Sequence, residues 1–393
     1  MAPSSRQNNS QQYYIKLICN ILYYCGLGNC WYEDRKSTKL HKKLYTAWSI
    51  SANVFGVIII LNEVLANMRT DLTPKEKNDL MQFTFGHPTI SAKIVILYIK
   101  REEIKVFFKR MLDDTRNSIE DNIEKHAVKR ALFYCLVLIS VLALALFLTV
   151  VDAVRAYLVQ GIPIRTEVIF YPTASDTGIF VNILRVFVEI HFWLFIIIMT
   201  SVDCLSLCSL VFLGFKFRGV RIYFEKLGEK FNKPTFVSEE FERDFIVGVQ
   251  LHEDALWCAR NVQKSMGYIY SVQIVESITL LVISLLRLVG AGHANPTLFF
   301  VGMTATICLV ILTGSYMMDA ADVTHEALQI STAIFHCGWE NVKVGPGLRT
   351  TIVLALQRSQ DPVYLTAFGV IKLSYASFIS ILRSSYSFFA VMY

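Results

Sequence analysis

The sequence predicts an all-α, polytopic membrane protein with seven transmembrane helices, its N-terminus cytosolic and its C-terminus extracellular. Three observations carry that expectation. Of the 393 residues, 54% are hydrophobic and only 18% charged, with a mean hydropathy of +0.44, whereas soluble domains carry about 25% charged residues. The apolar residues gather in blocks of about 20, the length a helix needs to cross roughly 30 Å of hydrocarbon. The basic residues, finally, are divided unequally between alternate connecting segments.

Residues 1–12 are polar and lack the basic-then-apolar order of a cleaved signal, so the first span is expected to act as the signal and to be retained. The sequon Asn8-Asn9-Ser10 falls on this expected cytosolic arm and reads as a chance match. Spans are expected at about 46–66, 80–99, 131–152, 180–214, 267–289, 297–319 and 368–391, all within a single domain 1–393. The second is the weakest, because His87, Pro88 and Lys93 interrupt it. The N-terminal arm and the segments near 100–130, 215–266 and 320–367 hold 28 of the 38 Lys and Arg. The other side holds Arg69, Lys75, Lys77, Arg155 and Arg165. By the positive-inside rule the N-terminus is cytosolic, and the last span leaves no cytosolic tail behind it.

The segments 215–266 and 320–367 are expected to form a cytosolic anchor. Phe224, Leu227 and Phe231 share a helix face that ends at Pro234, and Ser238 is a fitting N-cap before Glu239, Glu240 and Glu242. Phe241, Phe245, Val249, His252 and Leu256 then repeat at helical spacing, as do Leu328, Phe335 and Trp339 before Gly345-Pro346-Gly347. A short helix at about 348–358 precedes Asp361-Pro362. Such faces are expected to pack on one another and on neighbouring subunits, with the membrane surface as the alternative.

Little catalytic chemistry is visible. GxSxG, HExxH, a P-loop and a GxGxxG after a strand are missing, the eight His are dispersed without metal-ligand spacing, and the nine Cys form no CxxC. No enzyme activity, cofactor, metal or nucleic-acid partner is expected; Cys204 and Cys208, one turn apart, read as packing. Within the spans Arg185 and Glu189 are spaced to pair, while Asp203 and Glu276 suit either interhelical hydrogen bonds or a wet cavity. Arg383, with Lys372 near the cytosolic end, complicates any cation path along the last span.

The C-terminal region carries a resemblance. Trp339, the Gln360-x-Pro362 step, Leu365-Thr366-Ala367 and Ser385-Tyr386-Ser387-Phe388-Phe389 are similar to the end of insect odorant receptors. The likeness covers the whole chain in length, span count and orientation, and is specific from about Phe335 onward. It implies a subunit of a ligand-gated, non-selective cation channel in the plasma membrane of an olfactory neuron dendrite, opened by small volatile odorants or pheromones. The loop of about 50 residues after span four suits a ligand-tuning subunit that forms a heterotetramer with the olfactory co-receptor. The resemblance places Trp339, Gln360, Pro362 and Thr366 in the subunit anchor, and Tyr386, Phe389 and Tyr393 at the pore or gate. It places the odorant among Phe83, His87, Leu144, Phe147, Val151, His191, Phe195, Phe300, Met303 and Thr304. A G-protein-coupled receptor is the runner-up, disfavoured by the charge bias and by the absence of Asp-Arg-Tyr after span three and Asn-Pro-x-x-Tyr in span seven. A transporter would show internal symmetry and broken helices, which are not found.

Overall fold

The computed structural model describes residues 10–27, 38–112, 121–231, 238–291, 296–343 and 345–392. Tyr393, Pro234 and the arm with Asn8 and Asn9 lie outside them. In chain order the helices are α1 (Ser10–Tyr24), α2 (Lys39–Ala66), α3 (Pro74–Ile99), α4 (Arg101–Met111), α5 (Asp121–Gln160), α6 (Ile179–Phe231), α7 (Ser238–Ala291), α8 (Pro296–Phe335), α9 (Pro346–Gln360) and α10 (Tyr375–Met392). The strands β1 (Thr366–Ala367) and β2 (Ile371–Lys372) form an antiparallel hairpin. The protein is all-α, and among the described residues α2, α5, α6, α7 and α8 are long and apolar enough to cross a membrane.

Helices α6 and α7 run to 53 and 54 residues. At 1.5 Å per residue each is about 80 Å long, far more than a bilayer core requires. Each therefore continues as part of a helical bundle well beyond the hydrocarbon. Helix α6 is its axis, packed against α8, α7, α5 and α1. From Ser201 to Gly214 every α6 residue is buried. Ser206, Cys204, Cys208 and Ser209 keep that stretch slim, so that neighbouring helices can approach from all sides.

The packed half of the bundle is closed by aromatic rings. Phe224, Phe231, Phe241 and Phe245 are fully buried, with ring centroids 5.7 Å apart for Phe224–Phe245, 5.2 Å for Phe231–Phe241 and 5.8 Å for Phe241–Phe245. Gly228 lets the end of α8 touch α6: a Cβ there would lie 2.5 Å from the His336 carbonyl oxygen. Leu328 and Phe335, expected on a buried face, lie on the exposed side of α8, because Val323, Ala327, Ile330 and Ile334 turn inward instead. Trp339 sits past α8 in a one-turn 3₁₀ helix, Trp339–Asn341, with its indole nitrogen donating to the Phe335 carbonyl at 3.0 Å. Ser238 begins α7 as expected, but its hydroxyl donates to the Lys343 carbonyl rather than capping its own helix.

The last helix starts later than the sequence suggests. Residues 368–374, expected inside a span from 368, make the hairpin turn and β2 instead, with Phe368 (φ 54°) and Gly369 (φ 70°) in the left-handed region. The hairpin is pinned from both sides. Gln263 of α7 accepts from the Thr366 amide at 2.8 Å and donates to the Thr366 carbonyl at 3.0 Å. Ser271 accepts from the Phe368 amide, and Thr324 of α8 donates to the Val363 carbonyl, both at 2.7 Å. Leu365, Ala367 and Leu373 are buried beneath it.

Candidate functional site: a capped cavity

The other half of the bundle is hollow. A cavity of about 390 Å³ lies between α3, α5, α6, α7 and α8, under the loop 161–178. That volume suits a small organic ligand. Its waist is apolar: Ile90 of α3, Leu142, Ala145 and Leu146 of α5, Phe192, Ile196 and Met199 of α6, Leu280 of α7, and Val301, Ala305, Leu309 and Leu312 of α8.

Its two ends are charged. At the floor, Asp203 and Glu276 line the cavity and hold Lys93 between them, with Lys93 Nζ 2.9 Å from Asp203 and 2.6 Å from Glu276. Gln273 also accepts from Lys93, and all four side chains are buried. The lysine that weakened α3 as a span is thus neutralised by two helices, and Asp203 and Glu276 are both interhelical partners and cavity wall.

The cap is a network. Thr73 and Glu76 form a capping box at the start of α3, with Glu76 Oε2 accepting from the Thr73 amide at 2.8 Å, and Glu76 also pairs with Arg165 of the loop. Burial opposes the Glu76 charge, but the Thr73 amide and hydroxyl and Arg165 outweigh it and hold the carboxyl below its usual range. Arg287 of α7 reaches Asp79 at 2.8 Å and Gln82 at 3.0 Å. Asn62 of α2 holds both the amide and the carbonyl of Tyr171, and Arg69 donates to the Ile169 carbonyl. Arg185 and Glu189 do not pair. The loop takes both instead: Arg185 donates to the Thr173 and Asp176 carbonyls, and Glu189 accepts from the Thr166 amide and hydroxyl. Loop residue Glu167 lines the cavity but is otherwise buried; burial, and then the nearby Glu63 carboxylate, push its carboxyl well above the usual range.

Of the ten residues expected around a ligand, Phe83 and His87 line the cavity. Phe195 and His191 stand behind them in one chain of rings, with centroids 5.2 Å apart for Phe83–His87, 4.8 Å for His87–Phe195 and 6.0 Å for Phe195–His191. His191 faces α2, where Gly56 makes room: a Cβ at Gly56 would be 2.9 Å from His191 Nε2. Leu144, Phe147 and Val151 are exposed on the side of α5 turned away from the cavity, and so are Phe300 and Met303 on α8. Thr304 is not in the cavity wall; its hydroxyl donates to the carbonyls of its own helix at Phe300 and Val301. Both helices present the face one or two residues away from the expected one.

Tyr386 is largely exposed on α10, 6.2 Å from Phe389 between ring centroids, and Arg383 lies on the exposed side of the same helix. Gln360 and Pro362 are exposed, and Thr366 is half-buried in the hairpin. The Lys372 ammonium sits 3.7 Å from the centre of the Tyr364 ring.

A capped, largely apolar chamber inside a long-helix membrane bundle defines a membrane receptor for a small molecule. The chain belongs to the 7tm odorant receptor family, whose sequence profile matches residues 73–386. This is a family of receptors and channels, not of enzymes. The fold is similar to the insect olfactory receptor OR5 from Machilis hrabei, with a TM-score of 0.76 at 14% identity, covering 98% of each chain. It is equally similar to that receptor in complex with eugenol, with a TM-score of 0.77 at 14% identity over 97% of this chain and 98% of the other. No curated protein matches the chain.

Proposed function

We propose that the protein is the odorant-binding subunit of a ligand-gated, non-selective cation channel, and that the 390 Å³ cavity receives the odorant. The observation that carries this reading is the joining of that cavity to the last helix through shared elements. Helices α7 and α8 line the cavity and also hold α10, and α5, a third cavity wall, braces α8 at that contact. Tyr375 donates to Asp322 of α8, Asp322 pairs with Arg130 of α5, and Arg130 is 2.9 Å from Asp319. Higher on α8, Gly314 meets the Phe378 ring. A ligand that moves α8 therefore acts on α10 directly, and one that moves α5 acts on it through the Arg130–Asp322 pair.

In this reading α10 lines the pore, Tyr386 and Phe389 stand at a hydrophobic gate, and the hollow half faces outward in the plasma membrane of a sensory dendrite. The arrangement has seven spans, with α3 and α10 completing the five apolar helices. The exposed Leu328, Phe335, Val353 and Leu354 of α8 and α9 suit burial against neighbouring subunits, the co-receptor among them. The eugenol complex of the Machilis receptor supports a small ligand with an apolar body and a polar end. That chemistry matches an apolar waist between two charged ends.

The test is whole-cell current in cells expressing the chain alone and with an insect olfactory co-receptor, across a volatile panel and under G-protein block. Odour-evoked cation current that needs the co-receptor and survives the block is expected. A response abolished by the block would overturn the reading in favour of a G-protein-coupled receptor.

A further inference from the structure

We propose that Glu63, His87 and Glu167 form a binding site for a divalent transition-metal ion of the zinc class. The three residues come from α2, α3 and the 161–178 loop, and one donor atom from each lies within 4.8 Å of the others. All three are buried, at 0%, 5% and 3% exposure. His87 Nδ1 is 2.8 Å from Glu63 Oε2, so two of the donors are already in contact.

The cluster has donors left over. Glu63 Oε1 and Glu167 Oε2 are buried without a hydrogen-bond partner. Orphaned carboxylate oxygens at such depth are costly, and two carboxylates side by side repel each other. The arginines of the cap do not resolve this, because Arg69 is taken by Asp71 and Arg165 by Glu76. One shared proton would bridge two of these oxygens but leave a negative charge between the two carboxyl groups. A divalent ion would engage both carboxylates, neutralise their combined charge and accept the imidazole nitrogen.

The donor set selects the ion class. One imidazole and two carboxylates suit zinc, with bonds of about 2.0–2.2 Å, whereas calcium and magnesium prefer six or more oxygen ligands. Donors about 2.0–2.2 Å from a tetrahedral ion stand roughly 3.3–3.5 Å apart, so His87 and Glu63 would part slightly and Glu167 would move in, a movement open to a loop residue. His87 and Glu167 also line the cavity, which provides an access route and leaves a fourth coordination position open to water. The His87 ring is held by Phe83 and Phe195, so its orientation is fixed before any ion arrives. Bound there, the ion would tie the loop to α2 and α3 at the capped end of the chamber.

The test uses the full-length chain in nanodiscs, stripped with a chelator and titrated with Co²⁺ as a spectroscopic probe for Zn²⁺. One equivalent of Co²⁺ is expected, with the intense visible bands of a four-coordinate site, displaced by Zn²⁺. His87→Ala and Glu167→Gln should each weaken binding roughly tenfold or more, while Glu167→His, which keeps a ligand, should retain it. Glu253→Gln, an exposed acid of α7 outside the cluster, should change nothing. Absence of stoichiometric Co²⁺ or Zn²⁺ uptake by the unaltered chain would overturn the proposal without reference to any variant's folding. Uptake indifferent to both His87→Ala and Glu167→Gln in properly folded samples would also overturn it.

Discussion

Along α6, the stretch from Ser201 to Gly214 is buried without a gap, while the stretch from Ile183 to Ile197 alternates between the cavity, α2 and open surface. One helix thus serves two different constructions. In the packed half, aromatic rings fill the space between long helices and glycines bring backbones together. In the hollow half the same helices stand apart around a chamber, and charged groups at its cap and floor hold the walls at their distance. Rigidity in the first comes from contact, and in the second from a few buried ion pairs. The two halves should therefore fail in different ways.

The largest effect is expected at the floor of the chamber. Lys93→Met leaves Asp203 and Glu276 buried beside each other, and breaking a buried pair in this manner typically costs about 3–5 kcal/mol. Fluorescence-detected size-exclusion chromatography should show most of the variant aggregated or retained inside the cell. Adding Asp203→Asn and Glu276→Gln should recover a monodisperse peak. If Lys93→Met alone behaved as the unaltered chain does, the view that ion pairs hold the hollow half would be lost.

In the packed half the matching test is steric. Gly228→Ala places a methyl against the His336 carbonyl oxygen, which backbone movement must relieve. Overpacking of this kind costs about 1–3 kcal/mol, and the apparent melting temperature should fall accordingly. Gly347→Ala, in the first turn of α9 with nothing within 4 Å of the added methyl, should not lower it and serves as the control.

The chamber itself should respond in ligand potency rather than stability. Ala305→Phe fills the waist and should raise the half-maximal odorant concentration by roughly tenfold or more, with surface expression kept. Phe147→Ala, on the far side of α5, should leave potency and ligand rank unchanged. Equal effects from both substitutions would mean that the odorant sits elsewhere.

These contrasts also mark what could be read from the sequence. The long helices were legible, and so was the buried face of Phe224, Leu227 and Phe231, which polar residues flank, whereas Leu328 and Phe335 of α8 lie on its exposed side. Helices that are apolar all round carry no such signal. On α5 and α8 the expected ligand face at Leu144, Phe147, Phe300 and Met303 is one or two residues out of register with the cavity face at Leu142, Ala145, Val301 and Ala305. Side chains that meet only through folding were equally hidden. Lys93 looked like a flaw in a span until Asp203 and Glu276 stood beside it, and Glu63, His87 and Glu167 are too far apart in the chain to suggest a cluster. The hairpin at 366–372 was masked by its apolar residues, which merge with the last helix when hydropathy alone is read.

The smallest expected effect separates the halves by acidity. His252 is buried in the packed half, and desolvation, with Arg358 nearby, lowers its pKa to about 4. An unfolded chain protonates this histidine near pH 6.5, so as pH falls from there towards 4 the unfolded state binds the proton first and the fold loses stability. Above pH 6.5 the residue is neutral in both states and contributes no slope. The melting temperature in nanodiscs should accordingly drop between pH 7.5 and pH 5, and His252→Gln should flatten part of that drop. If it left the slope unchanged, His252 would not be the source of the acid sensitivity, and Glu76 in the cap of the hollow half could not replace it, because a carboxyl held below its ordinary pKa of 4.5 loses its contribution only at more acid pH.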